Sequence, residues 1–313
     1  MNLKGLLFAL LGFAIYAAHD VVVKYVGETI TPFQIIFFAS LISFPFVTVI
    51  QMRDPEPQSL RPVHPWWVLI RVVTMLGAGL FAFIAFILLP LAQTYTLLFA
   101  APLLITVLSI PLLSERVGVH RWGAVVVGLI GVIVVLRPAG GELGFGHLAG
   151  LLSALCNAVT SIAVRRIGHA ERSVVLLLYP LLGNVILMGI ALPFVYVPMP
   201  LLEFGGLVVI AGFGLLAAFC MILAYRYAEA AIVAPMQYSQ ILWATFYGYL
   251  LFDERLDGPT AVGAGLIIAS GLYIVYREGQ TGVSQNTPVL RNRSRGWFPA
   301  GIRVSVWQRL KQR

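Results

Sequence analysis

The feature that most constrains this chain is the regular return of apolar runs long enough to cross a bilayer. A helix needs about 20 apolar residues to span ~30 Å of hydrocarbon. Charge, Pro and Gly set off ten such runs, at 3–25, 32–51, 67–89, 93–113, 120–137, 147–165, 174–196, 205–226, 231–252 and 259–277. Lipid offers no hydrogen bonds to the backbone, so runs of this kind fold as helices. Most links between them are short. The longest, RDPEPQSLRPVHP at 53–65, is Pro-rich and polar and reads as a surface loop.

Composition agrees. The chain is 59% hydrophobic and 11% charged, against about 25% charged for an ordinary soluble domain. It lacks the polar residues to cover a water-facing surface, whereas a bilayer needs no such cover. The fold class is all-α integral membrane. The first run is too long for a signal-peptide core and is followed by charge, so it reads as a spanning helix. Cys156 and Cys220 fall within apolar runs and read as buried thiols, with no disulfide or metal pattern. The net charge is +8, with seven of the 21 basic residues in the last 23 positions. That excess suits a membrane surface rather than nucleic acid.

Ten spans put both ends on one side. With the N-terminus inside, 18 Lys and Arg residues face inward and three, Lys24, Arg137 and Arg255, face outward. Positive charge is retained on the cytoplasmic side, so both termini are expected in the cytoplasm, in a multi-pass cell membrane protein. A bacterial inner membrane is the expected location. Within the polar tail, 278–313, Ile302, Val306 and Leu310 recur at helical spacing beside basic residues. This fits either an interfacial helix or a disordered basic tail.

The chain also repeats. LLSERVGVHRWGAVVVGLIGVIVVLRP (112–138) lies over LFDERLDGPTAVGAGLIIASGLYIVYR (251–277). Glu115-Arg116 matches Glu254-Arg255 at an offset of 139, and Gly123, Gly131 and Arg137 match Gly263, Gly271 and Arg277 at 140. More weakly, 12–27 lies over 153–168, with Lys24 on Arg165. Residues 1–138 and 139–277 therefore read as two copies of one five-helix unit. Five is odd, so the second copy enters the membrane from the other side, giving an inverted repeat with a substrate site near mid-membrane.

The ER pair followed by a glycine helix, twice over ten spans, resembles the drug/metabolite transporter superfamily with two EamA-type domains. HDVVVKYVG, Arg71 in LIR, and APMQY look like the branch that includes S-adenosylmethionine carriers. The resemblance covers residues 1 to about 277 and implies a carrier of a small polar or zwitterionic metabolite, amino acid or S-adenosylmethionine-like.

Candidate site residues follow from polar groups inside the spans. Tyr16, Asp20 and Lys24 stand at i, i+4 and i+8, one stripe on a helix, with His19 beside it. A charge at mid-bilayer costs about 2.5–3.5 kcal/mol on insertion scales, so such residues face a wet cavity or each other. Lys24 also lies near enough to the outer end to serve as a snorkelling anchor. The counterpart stripe in the second copy is Asn157, Ser161 and Arg165. Asn157 and Ser161 suit substrate contact or helix–helix hydrogen bonding. Arg71, beside Trp66 and Trp67, suits either an anion ligand or an interfacial anchor. Pro235 is expected to bend or break span nine, with Gln237, Tyr238, Gln240 and Trp243 following it. Gln93, Tyr95 and Pro102 occupy a related region of the first copy. Gln237, Tyr238, Trp243 and Tyr95 join the candidate substrate contacts.

The ER pairs read as surface salt bridges that tie turns. Ala124-xxx-Gly128 and Gly265-xxx-Ala269 read as close-packing faces, for scaffold helices or a homodimer. No HExxH, GxSxG, P-loop or paired Cys/His motif is present, so no metal or cofactor is expected and ATP hydrolysis is unsupported. The drive is then a gradient, with Asp20, His19 and Glu229 as candidate proton carriers. The alternative is a membrane-embedded enzyme acting on a lipid-linked substrate through Asp20 and His19.

Overall fold

The computed structural model describes residues 3–52, 61–114, 117–137, 143–167, 170–171, 173–228 and 230–279. The described residues form helices and links, with no strand among them. In chain order the helices are α1 (Leu3–Val26), α2 (Pro32–Met52), α3 (Pro65–Leu88), α4 (Leu91–Leu98), α5 (Ala101–Leu113) and α6 (Val119–Leu136). The second half holds α7 (Phe145–Ile167), α8 (Ser173–Val195), α9 (Leu201–Tyr227), α10 (Ala230–Val233), a 3-10 turn (Ala234–Tyr238), α11 (Ser239–Phe252) and α12 (Gly258–Gly279). Eight segments are long and apolar enough to span a bilayer, counting α4 and α5 together as Leu91–Leu113, and α2 adds a shorter apolar stretch, Pro32–Pro45. The tenth span is α10 and α11 joined through the 3-10 turn. The first ER pair, Glu229 and the tail from residue 280 lie outside the described residues.

Two spans are broken, the fourth of each half: span four, expected to be continuous, and span nine, where Pro235 is expected to bend or break the helix. In an unbroken helix the N–H of residue 102 would donate to the carbonyl of Leu98. Pro102 has no such N–H, so α4 stops and Pro102 instead opens the first turn of α5. Pro235 does the same in the second half, where the backbone tightens into the 3-10 turn.

The duplication is also written in the backbone. Ser114 ends α5 with φ 55° and donates its N–H to Ser109 O. Asp253 ends α11 with φ 51° and donates its N–H to Gly248 O. Both are left-handed caps on non-glycine residues, each directly before an ER pair and separated by the same 139 positions.

Packing completes the two-fold pattern. α1 lies along α9, and its symmetry mate α7 lies along α3, while α2 with α8, α4 of span four with α11 of span nine, and α6 with α12 pair each span with its own counterpart. The chain is thus ten transmembrane helices in two inverted five-helix repeats. The α6–α12 crossing is close enough to need glycine. A Cβ on Gly131 would stand 2.8 Å from Gly263 O, and a Cβ on Gly263 would stand 2.6 Å from Gly131 O. Of the expected close-packing faces, Ala124 accepts a hydrogen bond from Ser270 Oγ at 2.5 Å, within the chain. Gly265 faces open space. The outward faces carry large apolar residues such as Leu7, Leu11, Ile130, Ile190 and Leu250, which a bilayer covers.

Candidate functional site: a central cavity at Asp20

The halves meet around a cavity of about 1020 Å³, counting its mouth, bounded by α1, α3, α4, α7, α9 and α11. Helical spacing on α1 brings Tyr16, His19 and Asp20 to its wall, with Phe13 one turn earlier. α3 contributes Phe83 and Phe86, and α7 contributes Asn157. The broken spans supply Tyr95, from α4, and Gln240, from α11. Discontinuous helices at the midplane are a recurrent way to bring polar groups to a transport site.

Asp20 is the centre of a hydrogen-bond chain. Its Oδ1 lies 2.8 Å from His19 Nδ1. Its Oδ2 accepts from the Tyr95 hydroxyl. That hydroxyl is in turn 3.5 Å from Gln240 Nε2, a contact at the limit of a hydrogen bond. At 2.8 Å the contact is a hydrogen bond when the imidazole carries a proton on Nδ1. The aromatic walls are linked as well. Tyr95 packs on Phe86 at 5.3 Å and on Phe99 at 5.9 Å between centroids, and Phe99 meets Tyr238 edge-on at 5.2 Å. The breaks of spans four and nine therefore touch. Tyr16 Oη is buried in the cavity wall and has no hydrogen-bond partner among the described residues.

The structure brings Tyr16, His19, Asp20, Tyr95 and Asn157 together and places the other candidates elsewhere. Lys24 is buried one turn beyond Asp20, held by Glu254 at 2.6 Å. The second ER pair is therefore more than a surface tie: Glu254 reaches across to α1. Arg71 is 2% exposed, outside the cavity wall, and donates through Nε to Leu176 O at 3.1 Å. Its Nη1 is buried without a hydrogen-bond partner among the described residues. Ser161 Oγ donates to Asn157 O of its own helix at 2.8 Å. Gln237 lies in the 3-10 turn, outside the wall. Tyr238 is buried, with its hydroxyl against Gly271 of α12. Trp243 stacks on Tyr247 at 6.3 Å, away from the cavity. Sequence reasoning did not choose Gln240 as a contact, nor the apolar rings of Phe13, Phe83 and Phe86. Nothing in their sequence context separates those rings from lipid-facing ones.

The arrangement offers one carboxylate with a neighbour on each oxygen, a free tyrosine hydroxyl, an amide from Asn157 and several ring faces. A carboxylate among ring faces suits an organic cation or ammonium group, and the hydroxyl and amide suit further polar groups.

Comparison with known proteins agrees with this architecture. Residues 3–137 and 144–276 each match the EamA-like transporter family. The S-adenosylmethionine uptake transporter of Rickettsia bellii is 24% identical over 278 residues, covering 88% of this chain and 94% of its own. A riboflavin transporter of Rhizobium johnstonii is 29% identical, covering 77% of this chain and 78% of its own. A pseudopaline exporter of Pseudomonas aeruginosa is 26% identical, covering 85% and 94%. A solved crystal structure, 19% identical, superposes with a TM-score of 0.56 over 87% of this chain and 97% of its own, which shows a shared fold. These relatives are named as transporters, which sets aside the membrane-embedded enzyme. The chain belongs to the EamA-like transporter family and is a multi-pass membrane transporter of small molecules.

Proposed function

We propose that this protein is a secondary active carrier of a small polar or zwitterionic metabolite, amino acid or S-adenosylmethionine-like. It works by alternating access in a bacterial inner membrane, with both termini in the cytoplasm. The observation that carries this reading is Asp20: a carboxylate at the junction of two inverted halves, bonded by His19 and Tyr95 and facing a cavity with aromatic walls. The chain spends insertion free energy to keep a charge there. The named substrates of the relatives, S-adenosylmethionine among them, support a small-metabolite class.

The same group supplies a means of coupling. A positively charged portion of the substrate and a proton taken up at Asp20 and His19 compete for one carboxylate. A carboxylate that cannot hold both ligands exchanges one for the other as the halves rock. Glu229, the third candidate proton carrier, lies outside the described residues.

The test begins with a thermal-shift screen of purified protein against S-adenosylmethionine, amino acids, nucleoside derivatives and vitamins, since a ligand of the native state raises its apparent stability. Counterflow of any hit in proteoliposomes follows. Saturable counterflow that responds to a pH gradient is the expected result. A panel with no stabilising metabolite, or flux that never saturates, as from a passive channel, contradicts the reading.

A further inference from the structure

A second buried ion pair stands one helical turn beyond Asp20. Lys24 Nζ is 2.6 Å from Glu254 Oε1 and donates to Leu89 O at 2.6 Å. Glu254 Oε2 accepts the N–H of Leu91 at 2.8 Å. Three parts of the chain are tied at this point: the end of α1, the α3–α4 link, and the turn that follows α11. Side-chain exposure is 11% for Lys24 and 15% for Glu254.

What lies beside the pair gives it meaning. Toward Asp20 is the central cavity. Beside Glu254 is a smaller pocket of about 460 Å³, counting its mouth, whose wall also includes Gln93 and Thr260. Glu254 lines this smaller pocket, and its partner Lys24 stands one turn along α1 from Asp20, which is in the wall of the central cavity. A permanent tie would be served as well by apolar side chains, because a buried ion pair gains little over well-packed hydrophobic residues. A pair that must part is different. Each partner can be hydrated when separated, so charge permits a second arrangement that an apolar seam resists.

We propose that Lys24 and Glu254 are the gate that closes the central cavity at the end of the bundle opposite the N-terminus of α1. The second half is locally built for this. The left-handed cap at Asp253 turns the chain so that Glu254 folds back over Gly248. A Cβ at Gly248 would stand 2.6 Å from Glu254 Oε2, so glycine leaves room for the carboxylate. The position 139 residues earlier is Ser109, so this space is particular to the second copy. The proposal rests on the cavity being the transport route, but its test needs no substrate.

The test places a reporter thiol in the cavity wall, Ala82→Cys, in a chain carrying Cys156→Ala and Cys220→Ala. A membrane-impermeant maleimide is applied from the gated side of reconstituted vesicles of known orientation, and the labelling rate is read. Lys24→Met, Glu254→Gln and Gly248→Ala are each expected to label at least about tenfold faster than the parent. The charge swap, Lys24→Glu with Glu254→Lys, is expected to return toward the slow parental rate. Unchanged labelling in the single variants, or a swap that labels as fast as they do, overturns the proposal. Loss of folded protein in Lys24→Met, in Glu254→Gln and in the swap also overturns it, because the pair is then a structural staple. Faster labelling in chains that show no counterflow of any metabolite leaves the gate standing and sinks the transport reading alone.

Discussion

Tyr95→Phe isolates one bond of the central site. The ring is retained, so its contacts with Phe86 at 5.3 Å and Phe99 at 5.9 Å survive, and the residue is only 2% exposed. What disappears is the hydroxyl that donates to Asp20 Oδ2. A hydrogen bond to a charged group contributes about 1.5–3 kcal/mol. Asp20 keeps His19 at 2.8 Å, and its side chain is 13% exposed to the cavity. Partial access to water puts the expected loss at the lower end, about 1.5–2 kcal/mol. The assay is a double-mutant cycle with Asp20→Ala, read as unfolding free energy by detergent titration in mixed micelles. If the hydroxyl acts through the carboxylate, the two losses fall short of adding by about 1–2 kcal/mol, as for other contacting pairs. Losses that add to within about 0.5 kcal/mol refute the bond as an energetic link.

Three other substitutions probe the frame around the site by the same titration. Gly131→Ala drives a Cβ to 2.8 Å from a backbone carbonyl of α12 and is expected to cost about 1–3 kcal/mol by overpacking. Gly265→Ala, which meets open space, is expected to be neutral or stabilising by up to about 1 kcal/mol through helix propensity. Equal effects at the two glycines would contradict the crossing. Gln34→Leu removes a bidentate tie, Gln34 Nε2 to Val197 O and Val197 N to Gln34 Oε1, both at 2.8 Å. It is expected to cost about 1–3 kcal/mol for each polar group left unmet, and a wild-type unfolding midpoint would contradict that tie.

The spans, the repeat and the inverted relation were legible because they depend on composition and local pattern. Apolar length sets the helices, and the ER-glycine pattern sets the copies. The break at Pro235 was legible for the same reason. The break before Pro102 was not, since a proline opens a helix as readily as it ends one, and the interruption falls at Phe99 and Ala100, ahead of it. The stripe on α1 was read correctly as a stripe, but the neighbours of each member were not in view. Asp20 and Tyr16 reach the cavity, while Lys24 is held by Glu254, which lies far along the chain. Span nine shows a subtler limit. A 3-10 turn advances 120° per residue against 100° in an α-helix, so five residues rotate the following face by about 100°. That rotation accompanies a cavity wall that includes Gln240 rather than Gln237 or Trp243.

Counterflow by reconstituted Asp20→Asn tests the whole account most directly. The variant keeps the size and shape of the side chain while removing the charge and replacing one accepting oxygen with a donating amide. With protein that remains monodisperse in detergent, the account predicts at least a tenfold loss of counterflow for any metabolite the unaltered chain carries. Counterflow at the unaltered rate, with the same half-saturation, would show that the carboxylate at the meeting point of the two halves is not where transport happens.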